Sequence, residues 1–202
     1  MNDNQRGLIV YGTSFGATKG TSEEIARILR GKNFDIKLTN AREEKIKDIT
    51  DYNLIIVGSG LVNCKWNSQA EDFLNKFHKE LEHKELALFA SSIMPLAEKE
   101  GNTEEIAKIR KVALDDKILK YGLKPIMTGL FGGVLDFGKM GFLTRKVMET
   151  SFKSRLQNDG YKETAPGVYD LRDWEKIRSW TKELAPNSKD SMLLLESAQI
   201  KG

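Results

Sequence analysis

Between an apolar run that ends at Gly12 and the first amphipathic segment, the chain carries Thr13-Ser14-Phe15-Gly16-Ala17-Thr18, three hydroxyl residues around a glycine. At the start of a helix, such a loop offers hydroxyls and unpaired first-turn peptide N–H groups to an anion, with no cation needed. Several charge-assisted hydrogen bonds at about 1.5–3 kcal/mol each would outweigh the macrodipole, worth about 0.3–1 kcal/mol. The chemistry that fits is capture of a phosphomonoester. The plainer reading is a capped helix, for which two hydroxyl residues would suffice. Other phosphate and phosphoryl chemistries fail on spacing. Gly12, Gly16 and Gly20 are evenly four apart and miss the dinucleotide pattern, and Lys19 is followed by Gly20 rather than Ser or Thr. The tips TSFGAT and GSGLVN also lack the carboxylates of a phosphoacceptor.

The elements that must position this loop follow from apolar patterning. GLIVYG (7–12) and Leu54–Val57 are continuous apolar runs, the signature of strands buried on both faces. FDIKLTN, ELALFASS and KPIMTGLFGG read as three further strands. Helical spacing appears at Ile25, Ile28 and Leu29 with Gly31 at the end, and at Trp66, Ala70, Phe73, Leu74 and Phe77. NTEEIAKIRKVALDDKILKYG is predicted as one helix, capped by Asn102 or Thr103 and ended by Gly122, and DLRDWEKIRSWTKEL as the last. Strands alternating with helices predict a doubly wound α/β domain over residues 1–186, a parallel sheet with helices on both faces. Residues 187–202 read as an extension whose apolar run, Met192–Leu195, would dock on the domain or on a second subunit; the oligomeric state stays open. In such sheets ligands bind at the carboxyl ends of the strands, so the tips after the first, third and fourth strands decide the function.

Composition narrows the classes. With 40% hydrophobic and 30% charged residues, the chain has enough apolar material for a core. No stretch approaches the ~18 apolar residues of a membrane span, and the polar start shows no signal peptide, so a cytoplasmic location is expected. One cysteine and two histidines leave no disulfide framework and little for a Cys- or His-based metal site. The net charge of +3 comes from 32 basic and 29 acidic residues interleaved along the chain, unlike the one-sided charge of a nucleic-acid module.

The hydroxyl set Thr13, Ser14, Gly16 and Thr18 resembles the phosphate loop of flavodoxins. The similarity looks closest to the prokaryotic flavodoxin-domain branch that includes menaquinone-dependent protoporphyrinogen dehydrogenase. Tyr11 to Thr18 followed by Ile25-Ala26, Ile56-Val57-Gly58-Ser59-Gly60 with Trp66 beyond, and Asp170-Leu-Arg-Asp-Trp-Glu175 carry it. The resemblance implies a five-stranded parallel sheet in the order 2-1-3-4-5, with an insertion around the fifth strand. It implies FMN, its phosphate on Thr13, Ser14, Phe15, Gly16, Ala17 and Thr18. The ring would lie between the tips at Gly58–Trp66 and Ser91–Leu96. Leu61, Val62, Trp66, Met94 or Leu96 would offer flat apolar surface, and peptide groups at Ser59, Gly60, Ser91 and Ser92 would meet its polar edge. Gly60 could turn its carbonyl towards the ring at little steric cost. Trp66 is equally a core residue, since it opens a helical stripe. Cys64, beside the implied ring, reads as a small hydrophobe or a redox group. The chain departs from many flavodoxins in being basic and poor in aromatic residues at the site.

The function implied is electron transfer through bound flavin to a redox partner protein or a quinone. Protoporphyrinogen dehydrogenation linked to a quinone is the enzymatic alternative, and an interaction module without FMN the third. The late segment Gly129–Gly167 exceeds what a minimal fold needs. Leu143, Val147, Met148, Phe152 and Leu156 read there as one apolar helical stripe. Lys139, Arg145, Lys146, Lys153 and Arg155 make residues 139–156 basic against Glu149. A helix packed over the sheet is one reading; a surface for an acidic partner, an anionic porphyrin or anionic lipid is the other, with peripheral but not transmembrane contact.

Overall fold

The structure is a computed structural model that describes residues 5–185. The extension 187–202 and its Met192–Leu195 run lie outside the described residues. In chain order the elements are β1 (Arg6–Gly12), α1 (Ala17–Arg30), β2 (Asp35–Asn40), β3 (Leu54–Val62), β4 (Lys65–Trp66), α2 (Ser68–Leu81), β5 (Glu85–Ser92), α3 (Met94–Lys99), α4 (Thr103–Arg110), α5 (Asp116–Tyr121), β6 (Met127–Gly132), β7 (Val134–Asp136), α6 (Phe142–Asn158), β8 (Glu163–Ala165), β9 (Val168–Asp170) and α7 (Trp174–Leu184). The main sheet runs β2-β1-β3-β5-β6, all parallel, with β4 folded back antiparallel onto the end of β3. This is the expected 2-1-3-4-5 order, with β5 and β6 as its fourth and fifth parallel strands.

Alternate residues of the buried strands feed two cores. Ile9, Ile56 and Phe89 meet Ile25, Leu29, Ile177 and Trp180 from α1 and α7. Leu8, Val10, Ile55, Val57 and Leu88 meet Phe73, Leu74 and Phe77 of α2 and Leu114 ahead of α5 on the other face. Parallel pairing sets the register: Gly12 lies level with Ser59, and Gly60 level with Ser91. The carboxyl ends of β1, β3 and β5 therefore form one rim.

Three sequence expectations are corrected. The helix read across 102–122 is two helices around a π-helical turn at Lys111–Asp115, in which the Asp116 N–H bonds back to the Lys111 carbonyl. The insertion begins only after β6. It builds its own antiparallel sheet, β7-β9-β8, and a small core of Leu96, Leu135, Phe137, Leu156, Tyr169 and Leu171. It joins the main sheet through close backbone approach: the Gly133 N–H donates to the Ser92 carbonyl at 2.8 Å, and Leu171 N–H to the Gly133 carbonyl at 2.9 Å. The apolar stripe of α6 splits. Leu156 is buried and Met148 and Phe152 pack on the insertion core, whereas Leu143 and Val147 are 78% and 65% exposed. Residues three or four apart share a helix face, but Leu143 and Val147 sit on the side opposite the packed residues.

α1, which carries the candidate loop, is tied to α7 by Glu24. Its carboxylate accepts from Arg27 Nε at 2.8 Å and from Arg178 Nε at 2.7 Å. The Arg27 hydrogen bonds, working with Arg178 against partial burial, lower the Glu24 pKa to about 2. A depressed folded-state pKa stabilises above the unfolded value and is lost as pH falls through the folded one. Glu24→Gln should therefore cost about 1 kcal/mol at neutral pH, as a partly exposed network allows. The gap to the parent should close between the ordinary value of 4.5 and about 2, read by denaturant unfolding across that pH range.

Candidate functional site

At the tip of β1 the chain turns through Thr13, Ser14 and Phe15 into α1. The Gly16 N–H donates to Thr13 Oγ1 at 2.9 Å, which closes the loop on itself. Gly16 stands at the N-cap with φ +91°, in the left-handed region that glycine adopts without strain. A side chain there would be strained by φ, although the space around it is open. The first α-helical backbone bond is Gly20 N–H to the Gly16 carbonyl. The amides of Ala17, Thr18 and Lys19 thus precede it and face the loop mouth. Ser14 and Gly16 are exposed, Thr13 and Phe15 half-buried, and Ala17 and Thr18 buried.

Thr18 is the informative residue. Its side chain is fully buried, and Oγ1 has no hydrogen-bond partner among the described residues. It lies against the next tip: Thr18 Oγ1 is 3.1 Å from the point a Cβ on Gly60 would occupy. Ser91, level with Gly60 across the sheet, carries a second buried hydroxyl without a partner. Orphaned buried hydroxyls are rare because each forfeits its hydration. Of the four such hydroxyls among the described residues, Thr21 and Ser22 lie further along α1, and Thr18 and Ser91, on different elements, converge on the one rim.

The other expected ring contacts divide. Gly60 is half-buried at the rim and Val62 exposed at 36%. Trp66 is not a stacking surface. It is on β4 opposite Leu61, 5% exposed, and its Nε1–H donates to the Ala113 carbonyl at 2.6 Å inside the π-helical turn. Leu61 leans on the same core. Cross-strand neighbours share a face, so both turn inward. Ser59 is fully buried and braces the fold: its Oγ accepts from Asn67 N–H at 2.9 Å and donates to the Gly60 carbonyl at 3.1 Å. Ser92 Oγ accepts from the Met94 N–H at the start of α3, and its carbonyl is engaged by Gly133. Met94 is buried, and Leu96 belongs to the insertion core.

Two features had no counterpart in the pattern reading. Asn63 and Cys64 form a two-residue hairpin between β3 and β4 with φ +50° and +58°, the signs of a type I′ turn. Asn-Cys lacks the usual glycine of that turn, so the hairpin gave little signal, and Cys64 emerges exposed at its tip. Arg172 is the second. It grips Asp170 through Nε at 2.8 Å and Nη2 at 2.6 Å, stacks on the Trp174 ring and abuts Gly20 of α1. Burial pushes the Asp170 carboxyl up, but the Arg172 hydrogen bonds prevail and hold it below the usual range. The Asp170–Glu175 motif is thus a clamp between the insertion, α7 and α1.

Gly12-Thr13-Ser14-Phe15-Gly16 also has the Gly-x-Ser-x-Gly spacing of a hydrolase nucleophile turn. A serine nucleophile needs a histidine or equivalent base within hydrogen-bond reach. His78 and His83 lie at and just beyond the end of α2, which points to the amino edge of the sheet, away from the loop, and the His78 ring bonds the Asn75 carbonyl. That chemistry has no base here. Among the described residues no group of three or more His, Cys, Asp or Glu side chains could hold a metal ion, and no helix is long and apolar enough to cross a membrane. A cleft of about 590 Å³ lies beside the rim, between α3, the start of α7 and the insertion, with Met94, Lys99, Tyr161, Arg172 and Trp174 on its walls. The loop Thr13–Thr18 and the tip Gly60–Val62 do not line it. If Trp66 is core, Trp66→Phe should lose about 1–3 kcal/mol by stranding the Ala113 carbonyl. Thermal unfolding reads that loss, and flavin affinity should be unchanged.

Comparison with known proteins agrees with this architecture. The structure of a flavodoxin from Streptococcus pneumoniae TIGR4 is 12% identical over 92% of this chain and 99% of its own, with a TM-score of 0.54. A flavodoxin from the domain Archaea is 17% identical over 76% of this chain and 98% of its own, at a TM-score of 0.44. Oxidised flavodoxin 1 from Bacillus cereus is 14% identical over 75% and 97%, at 0.48. No curated protein matches the chain. The family model for the Flavodoxin domain matches residues 8–161, from the first core strand through the insertion helix, and the chain belongs to that family.

Proposed function

We propose that this chain carries electrons through FMN, held by its phosphate at the mouth of α1. The observation that carries this reading is the buried, unpartnered Thr18 hydroxyl beside free first-turn amides. That arrangement costs stability unless an acceptor-rich group arrives to use it. A phosphate does so through its oxygens. Thr13, Ser14 and Thr18 would donate hydroxyl protons, and the peptides of Ala17 to Lys19 would donate N–H groups. Membership of the Flavodoxin domain family supports FMN as the group. Flavin, when bound, supplies both one- and two-electron redox steps.

The residues themselves bind and orient. Gly60, Val62 and Ser91 stand at the rim where the ring would extend, with Ser59 and Asn67 bracing the tip from beneath. Because Ser14 and Val62 are exposed at this rim, the ring edge would stay close to solvent and to a docking redox partner. Quinone-linked dehydrogenation of the protoporphyrinogen type is the second reading. What favours it is the cleft of about 590 Å³ that the insertion builds next to the rim, roomy enough for an organic substrate.

Thr18→Val removes the hydroxyl and keeps the shape. Since that hydroxyl has no partner among the described residues, unfolding free energy should hold or rise slightly. FMN affinity, read by fluorescence quenching, should fall roughly 10- to 100-fold, the loss of one hydrogen bond to a charged group. Unchanged affinity would contradict the phosphate assignment. Anaerobic titration separates the two readings: a carrier stays oxidised with porphyrinogen and is reduced by a flavodoxin-type reductase, and a dehydrogenase is reduced by the porphyrinogen.

A further inference from the structure

α6 carries two apolar faces, and only one has a partner. At about 100° per residue, Met148, Phe152 and Leu156 share one stripe, which packs on the insertion core. Leu143 and Val147 share another, roughly opposite. Phe142, Leu143 and Val147 are 80%, 78% and 65% exposed, and every residue from Gly141 to Val147 is exposed. Three bulky apolar side chains in two turns are thus left in water, at a cost that burial would recover.

The charges on the same helix are sorted too. Arg145 pairs with Glu149, Arg155 with Glu100 and Glu105, and Lys139 with Asp136. Lys146 and Lys153 have no carboxylate partner among the described residues. Both are exposed and lie together on one side of the Leu143–Val147 ridge. Apolar side chains bordered by long, unpaired lysines match an interface with an apolar interior and anionic surface groups.

We infer that the first half of α6 docks on an anionic phospholipid bilayer, with Phe142, Leu143 and Val147 entering the interface and Lys146 and Lys153 meeting lipid phosphates. This goes beyond the flavin reading and does not rest on it. A second copy of the chain fits less well: a stable protein interface takes about 800 Å² per partner, far more than one short ridge supplies. A bilayer needs no matching pocket. The chain's own residues 186–202 fit less well as well. They carry no excess of acidic side chains to complement the lysines, with two lysines against Asp190 and Glu196.

The test is vesicle flotation of the full chain with phosphatidylcholine alone and with phosphatidylcholine mixed with phosphatidylglycerol. The parent should float with the mixed vesicles at low salt and be released as salt rises. Lys146→Gln with Lys153→Gln should weaken that binding on the order of tenfold or more. Leu143→Ser with Val147→Ser should weaken it at every salt concentration while leaving thermal stability unchanged. Four results would overturn the inference. They are no flotation with the mixed vesicles at low salt, equal flotation with both, loss of thermal stability in the serine variant (an intramolecular cover), and a dimer in sedimentation that the serine variant abolishes.

Discussion

β1 has a parallel neighbour on each side; the crossover from β1 to β2 covers one face of the sheet through α1, and the connection from β2 to β3 packs Ile46 and Ile49 on the other. That single arrangement creates a crevice at the tip of β1 which no side chain of the sheet can fill. The peptide groups emerging there are the first-turn amides of α1, and parallel register brings Gly60 and Ser91 to the same level one and two strands away. The candidate site follows from this geometry. It needs no metal and no buried charge. Its polar groups are hydroxyls and peptides: the buried, unpartnered hydroxyls of Thr18 and Ser91 cost stability when no anion is present, and the set is strong together when one arrives.

Holding that crevice open takes support from outside it. Asn67 fills the hollow beneath Gly12 and bonds Ser59, which bonds Gly60 in turn. Arg172, clamped by Asp170 and stacked on Trp174, braces α1 at Gly20 from the insertion side. Glu24 does the same further along α1 through Arg178 of α7. The loop can therefore stay short, glycine-rich and exposed while the helix behind it is held on two sides. The insertion adds a satellite core and a cleft along the same rim without disturbing strand order.

Much of this was legible in the residues. Continuous apolar runs mark doubly buried strands, and their alternation with helical stripes forces the parallel order, because both signals come from burial itself. The hydroxyl loop was equally visible, since Thr13, Ser14 and Thr18 are adjacent in sequence and in space. Roles set by tertiary contact were hidden. Trp66 has the right position for a ring partner, but a hairpin without the usual glycine turns it into the core, where a π-helical turn offers the Ala113 carbonyl. Ser59 and Ser92 have suitable chemistry, yet their hydroxyls are committed to bracing and capping. Leu143 and Val147 obey helical spacing with Met148 only loosely, and the pattern could not say which face the domain would claim.

The central claim is that neutral groups at the start of α1 grip the terminal phosphate of a mononucleotide. Parallel fluorescence titrations with FMN and with riboflavin test it most directly, because the two ligands differ only in that phosphate. Riboflavin should bind on the order of a thousandfold more weakly, equivalent to about 4 kcal/mol from two or more charge-assisted hydrogen bonds. Equal affinity for the two would show that the loop holds no phosphate, and would contradict it.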